Sequence, residues 1–210
     1  MKIKWYGLSC FNVKTKKANI LIDPFNSKVG LKPPRLKVDL LLISRDDKEH
    51  NNKKSATGKP YVIDSPGEYE LHNVFVFGIR GFTDEKKKSK QPLTMFLIQS
   101  EGITIGHLSN INCVPSEKYL ERLENVDILF VPVGGKNTLE AEQATKIISE
   151  IEPRIVVPMY YKTPKLKVDL ESADKFVREM GLKEREVIDS LNIKKKDLPQ
   201  EETKVFLLKP

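Results

Sequence analysis

The chain is short of the residues that most often build metal and redox sites. Three histidines and two cysteines are all it has in 210 residues. Cys10 and Cys113 lie far apart in sequence. They imply no disulfide framework, and they fit buried thiols in a reducing cytoplasmic setting. Long apolar runs are missing as well: nothing approaches the roughly 20 residues that a membrane helix needs. The opening stretch Met1-Lys2-Ile3-Lys4-Trp5 lacks the apolar centre of a secretory signal and starts directly with strand-like alternation. No phosphate-binding glycine loop and no Ser/His/Asp order stand out.

What is present suits one sizeable folded core. Hydrophobic residues make up 39% and charged residues 31% of the chain, a balance that excludes an extended disordered protein. A single domain over residues 1–210 is expected. The net charge is +7, from 36 basic and 29 acidic residues. Much of the excess sits in Lys86-Lys87-Lys88-Ser89-Lys90 and Lys194-Lys195-Lys196. Neither run carries interleaved aromatics, so both read as solvated loops, and nucleic acid is not an expected partner.

Periodicity divides the chain into a strand-rich first half and an alternating β-α second half. Strands are expected at residues 3–5, 11–13, 20–22, 39–43 and 61–63, and at 74–82 with Phe75, Phe77 and Ile79 on one side. Segments 94–99 and 103–105 flank Ser100-Glu101-Gly102 as a hairpin. Helices are expected over 116–124 with Ser116 as cap, over 139–151 with Asn137 or Thr138 as cap, and over 170–180 with Gly181 closing it. Buried strands at 127–133 and 154–157 alternate with them, and a strand at 205–208 ends the pattern. Thr83–Pro92 reads as a charged loop.

The densest chemistry follows the apolar strand Asp39-Leu40-Leu41-Leu42-Ile43. It is the run Ser44-Arg45-Asp46-Asp47-Lys48-Glu49-His50. In α/β proteins, loops at the carboxyl ends of strands carry ligands and catalysis. Two further strand ends supply His107 with Asn110, and Tyr160. His72, in a turn, is expected to face solvent. Glu68 is either an acid in the cleft or a residue that ties down a turn. Gly134-Gly135 either offers an anion site before a helix or simply lets the strand-to-helix turn form.

Several segments carry a resemblance. They are Trp5-Tyr6-Gly7-Leu8-Ser9-Cys10, Leu21-Ile22-Asp23-Pro24-Phe25, Gly67-Glu68-Tyr69, Gly106-His107-Leu108, Val131-Pro132-Val133-Gly134-Gly135 and Ile155-Val156-Val157-Pro158-Met159-Tyr160. In this order the chain resembles the metallo-β-lactamase superfamily, within its small bacterial and archaeal branch related to ascorbate-phosphate lactonases. The resemblance implies an α/β fold, the αββα sandwich of two mixed sheets packed face to face with helices outside. It also implies a dinuclear metal centre held by a His-x-His-x-Asp-His loop, a later His, an Asp and a final His.

This sequence departs from that pattern at most ligand positions. Arg45 and Asp47 stand where two histidines belong, and Glu49 replaces the loop's Asp, while His50 and His107 are retained. Asn110 replaces the bridging Asp, Tyr160 the final His, and Leu8 the His of a Gly-His-Ser-Cys segment. A guanidinium cannot ligate a cation, so Arg45 is expected to pair with Asp47 or a neighbouring carboxylate and fill the first metal position. Asn110 cannot bridge two cations.

The resulting expectation is a degenerate hydrolase homologue without the dinuclear centre. It would be non-catalytic and would bind an unknown ligand or protein partner at the former cleft, with no cofactor expected. The alternative is a divergent hydrolase with one weakly bound divalent metal at Glu49 and His50, acting on an ester, lactone or phosphoester. In it, Asn110 could add a carbonyl and Tyr160 a phenol oxygen, the latter only if the Tyr160 pKa falls well below about 10.

Overall fold

The computed structural model describes residues 1–81, 93–183 and 185–210. The chain opens with β1 (Lys2–Gly7), β2 (Cys10–Lys14), β3 (Asn19–Ile22), β4 (Leu36–Lys37), β5 (Leu40–Leu42), β6 (Ala56–Thr57) and β7 (Tyr61–Ile63). Next come β8 (Gly67–Leu71), β9 (Val74–Arg80), β10 (Thr94–Ser100) and β11 (Ile103–His107). The second half runs α1 (Glu117–Leu120), β12 (Ile128–Pro132), α2 (Ala141–Ile151), β13 (Ile155–Met159) and α3 (Asp174–Glu179). Four short strands finish it: β14 (Val187–Ile188), β15 (Leu191–Asn192), β16 (Lys204–Val205) and β17 (Leu207–Leu208).

Two mixed sheets carry the fold. One has the order β15-β1-β2-β3-β5-β7 and the other β16-β13-β12-β11-β10-β9-β8. Every residue of β12 and β13 is buried, as parallel strands covered on both faces must be. The sheets meet face to face: Phe11 of β2 stacks on Phe130 of β12 with ring centroids 4.0 Å apart. One hydrophobic cluster runs through both sheets. This is the sandwich that the resemblance implies.

The three expected helices are present but α1 and α3 are shorter than read, and among the described residues all three lie in crossovers between parallel strands of the seven-stranded sheet. The crossovers β3→β5 and β5→β7 contain only single 3-10 turns and short strands. That leaves the loop after β5 free to shape a site. Among the described residues no helix is long and apolar enough to cross a membrane.

Several local expectations are corrected. β9 ends at Arg80 rather than at residue 82; Phe75, Phe77 and Ile79 share one side as read, with Ile79 buried and Phe75 42% exposed, while Val74 and Val76 are buried on the other. The helix expected over 116–124 is α1 followed by a 3-10 turn, Glu121–Leu123, and Ser116 makes no side-chain cap. Glu140, rather than Asn137 or Thr138, caps α2 in a reciprocal pair with Gln143, while the Thr138 hydroxyl donates to the Ile111 carbonyl. α3 starts only at Asp174, after Leu170 and Ala173, and Gly181 closes it at φ 65° as expected. The terminal strand splits: β16 pairs with β13 and β17 with β14. The 100–102 hairpin forms as read, with Ser100 opposite Ile103. The 83–92 loop, its lysine run and Phe82 lie outside the described residues.

Candidate active-site cleft

The carboxyl ends of β3, β5, β11 and β13 converge on one end of the sandwich. Beneath them lies Asp23, which ends β3 at φ 44° and is fully buried. A buried carboxylate needs donors, and Ser44 supplies two: its backbone N–H at 2.7 Å and its hydroxyl at 2.6 Å. The Ser44 and Ser109 hydroxyls lie 2.6 Å apart, so the β5 loop is tied to the β11 loop through this carboxylate. The sequence reading gives Asp23 no role beyond its place in the segment Leu21-Ile22-Asp23-Pro24-Phe25. The available signal was a carboxylate ending an otherwise buried strand.

The loop after Ser44 is knotted around Asp47. One carboxylate oxygen accepts from the Glu49 N–H at 2.8 Å and lies 2.7 Å from His50 Nδ1. The other lies 3.1 Å from Arg45 Nε. Burial pushes the Asp47 carboxyl up, but the His50 hydrogen bond and charge, the Glu49 N–H and Arg45 together hold it below its usual value. Arg45 Nη1 also reaches Asn110 Oδ1 at 3.5 Å, the outer limit of a hydrogen bond. The guanidinium therefore takes the place expected of it, paired with Asp47.

His50 is fully buried. Its ring lies almost parallel to that of Tyr160, with centroids 5.9 Å apart. Burial pushes its pKa down; the Asp47 hydrogen bond and the charges of Asp23, Asp47 and Glu49 outweigh that and raise it. Its Nε2 is buried and has no hydrogen-bond partner among the described residues.

Tyr160 adopts φ 54° directly after β13. Its carbonyl approaches Gly134 so closely that a Cβ there would lie 2.1 Å from the oxygen. This close approach accounts for Gly134 as the residue that lets the strand-to-helix turn form. The N-terminus of α2 beyond it is closed by Glu140. The Tyr160 hydroxyl donates to Glu49 and accepts from Asn110 Nδ2 at 3.3 Å. Burial and Glu49 push the phenol well above its usual value in the metal-free protein, so Tyr160 stands here as a neutral donor to Glu49.

His107 is retained but occupied. Nε2 donates to the Ser9 carbonyl at 2.9 Å, and Nδ1 accepts from the Ser109 N–H at 3.3 Å. Its ring stands edge-on to Phe11 and Phe130. Burial lowers its pKa despite Asp23 nearby, so the 3.9 Å approach of Nε2 to Asp23 is not an ion pair near neutral pH. His107 packs the core under the cleft.

The residues present do not fit a dinuclear metal centre. Arg45 is a fixed cation paired with Asp47, both nitrogens of His107 are used, and Asn110 is neutral. Among the described residues, no three His, Cys, Asp or Glu side chains form a metal-holding group. A single ion meets a partial set. His50 offers an open buried nitrogen, with Nδ1 oriented by Asp47 as metal-ligating imidazoles commonly are. Glu49 is adjacent but engaged by Tyr160.

The remaining candidates fall away. Glu68 is exposed on β8 opposite Phe77, outside the cleft. His72 is exposed in the β8–β9 turn, as expected. Cys10 is fully buried, and burial pushes its thiol well up. Lys195 is no free lysine: it binds Asp127 at 2.9 Å. A cavity of about 480 Å³ opens beside Arg45, lined by Ser44, Asp46, Asp64, Ser65, Pro66 and Thr94. A further cavity, about 620 Å³, lies around Asp127 and Arg154 at the opposite strand ends.

Known proteins match most of this chain. Residues 2–160 match the family model described as the beta-lactamase superfamily domain. A UPF0173 protein of Pyrococcus abyssi is 34% identical over 187 residues, covering 78% of this chain and 84% of the relative. The UPF0173 metal-dependent hydrolase YtkL of Bacillus subtilis is 26% identical over 206 residues, covering 82% and 91%. A crystal structure from Thermotoga maritima, of a proposed zinc-dependent hydrolase of the metallo-β-lactamase superfamily, has a TM-score of 0.81. It is 26% identical, and 99% of each chain is covered.

Proposed function

Because this chain belongs to the β-lactamase superfamily, we propose that it is a divergent metal-dependent hydrolase holding at most one metal, on the His50 side of its cleft. The observation that carries this reading is His50 Nε2, buried and without a partner among the described residues, on a ring held by Asp47 and lying against Tyr160. A bound metal would supply a water of lowered pKa as nucleophile. The protein's own part is orientation. Asp47 holds the imidazole, Glu49 stands beside it as the exchangeable carboxylate, and Arg45 is a fixed cation at the cavity wall. The expected substrates are esters, lactones or phosphoesters. The names of relatives support hydrolysis: YtkL is called a metal-dependent hydrolase and the Thermotoga protein a zinc-dependent one.

A second reading is a non-catalytic protein that binds a ligand or partner in the same cleft. It was the first expectation from the sequence, and the Arg45–Asp47 pair and the engaged nitrogens of His107 favour it. The relatives' names favour hydrolysis over it. The single hydrophobic cluster supports one domain over 1–210, and we place the protein in the cytoplasm. The test is metal content together with turnover of p-nitrophenyl acetate, a γ-lactone and bis-p-nitrophenyl phosphate. Metal-dependent turnover lost in His50→Ala supports the first reading. No metal and no turnover of any of the three supports the second.

A further inference from the structure

At the far end of β1 from the cleft lies a groove of about 370 Å³. Four of its lining residues are lysines: Lys2, Lys14, Lys16 and Lys194. All four are exposed. Lys2 and Lys14 stand directly opposite each other on the β1–β2 antiparallel ladder. Like charges in that position repel and destabilise the pair.

Among the described residues, neither of the groove's carboxylates forms an ion pair with Lys2 or Lys14. Glu101 spends one oxygen on the Met1 ammonium at 3.0 Å and the other on the Lys16 backbone N–H at 2.6 Å. Asp197, the other acid in the lining, makes no ion pair among the described residues. Nor do the four lysine ammoniums have any carboxylate within 4.0 Å among those residues. An uncompensated lysine pair facing into a concavity is the electrostatic footprint of an anion.

We propose that this groove binds a compact polyanion built of linked phosphates. Several charges at short spacing are needed to engage several ammoniums at once, and a single carboxylate or phosphate does not supply them. A nucleic-acid backbone fits less well. The lysines surround one groove instead of tracking a strand, and the groove lining contains no aromatic side chain on which bases could stack.

The test is calorimetric titration with inorganic tripolyphosphate, with ATP as a second arm. The expected result is binding that weakens with added salt and is at least about tenfold weaker in Lys2→Glu/Lys14→Glu. A Lys28→Glu/Lys118→Glu control makes the same charge change outside the groove and keeps the affinity. Equal affinity for the two ligands assigns the free inorganic anion; tighter ATP assigns a nucleotide. Lys14→Glu alone places opposite charges across the ladder. It raises the melting temperature without ligand and removes the tripolyphosphate-induced rise. Absence of binding, equal weakening in the control, or duplex DNA binding more tightly than tripolyphosphate would overturn the proposal.

Discussion

Arg45 Nε stands 3.1 Å from the carboxylate of Asp47, a permanent cation in the loop that follows β5. Removing it leaves Asp47 with His50 as its remaining charged partner. Arg45→Met is expected to lower stability by about 1–2 kcal/mol, between the values for exposed and buried ion pairs, because the Arg45 side chain is 12% exposed and that of Asp47 26%. Urea unfolding measures this. A variant as stable as the wild type would mean the pair contributes nothing.

The Asp47–His50 pair sets a pH window in the metal-free protein. The Asp47 carboxyl is held below its usual value. Its contribution is present above the unfolded value of about 3.9 and is lost as pH falls through the folded value. His50 is raised. Its contribution is complete below the unfolded value of about 6.5 and is lost as pH rises through the folded value. The melting-temperature gap between wild type and His50→Gln is therefore expected to be widest at about pH 5–6 and to narrow on the alkaline side. A gap that widens with pH contradicts the assignment.

His107 is a core residue here, with both nitrogens bonded to backbone. His107→Ala leaves the Ser9 carbonyl and the Ser109 N–H without those partners and opens a cavity. A loss of about 2–4 kcal/mol is expected, with metal content per folded chain unchanged. Loss of metal without loss of stability would restore His107 as a ligand.

The Tyr160 hydroxyl engages Glu49, the carboxylate proposed to stand beside a single metal. Tyr160→Phe frees that carboxylate and deprives Asn110 of its acceptor. Stability is expected to fall by about 1–2 kcal/mol while the affinity for zinc or manganese rises. A fall in affinity would identify the phenol oxygen as a ligand.

Much of this was legible in the sequence because the relevant signals are local. The apolar run 40–42 ending in ionisable residues placed the loop, and Arg45 among them announced an internal counter-charge. What was not legible depends on contacts distant in the chain. Asp23 is read only when Ser44 and Ser109 are seen to meet over it. The retained His107 looked like a ligand because nothing in the sequence shows Ser9 and Ser109 taking its nitrogens. Tyr160 and Glu49 are 111 residues apart, so their mutual engagement appears only in the folded chain. The cap of α2 was misplaced because a Glu–Gln pair outcompeted the more usual Asn and Thr.

Elemental analysis of protein purified without chelator, beside His50→Ala and His107→Ala, tests the central claim most directly. The account predicts no more than one zinc, manganese or iron per chain, reduced to background by His50→Ala and preserved in His107→Ala. About two metals per chain, or metal retained without His50, would contradict it.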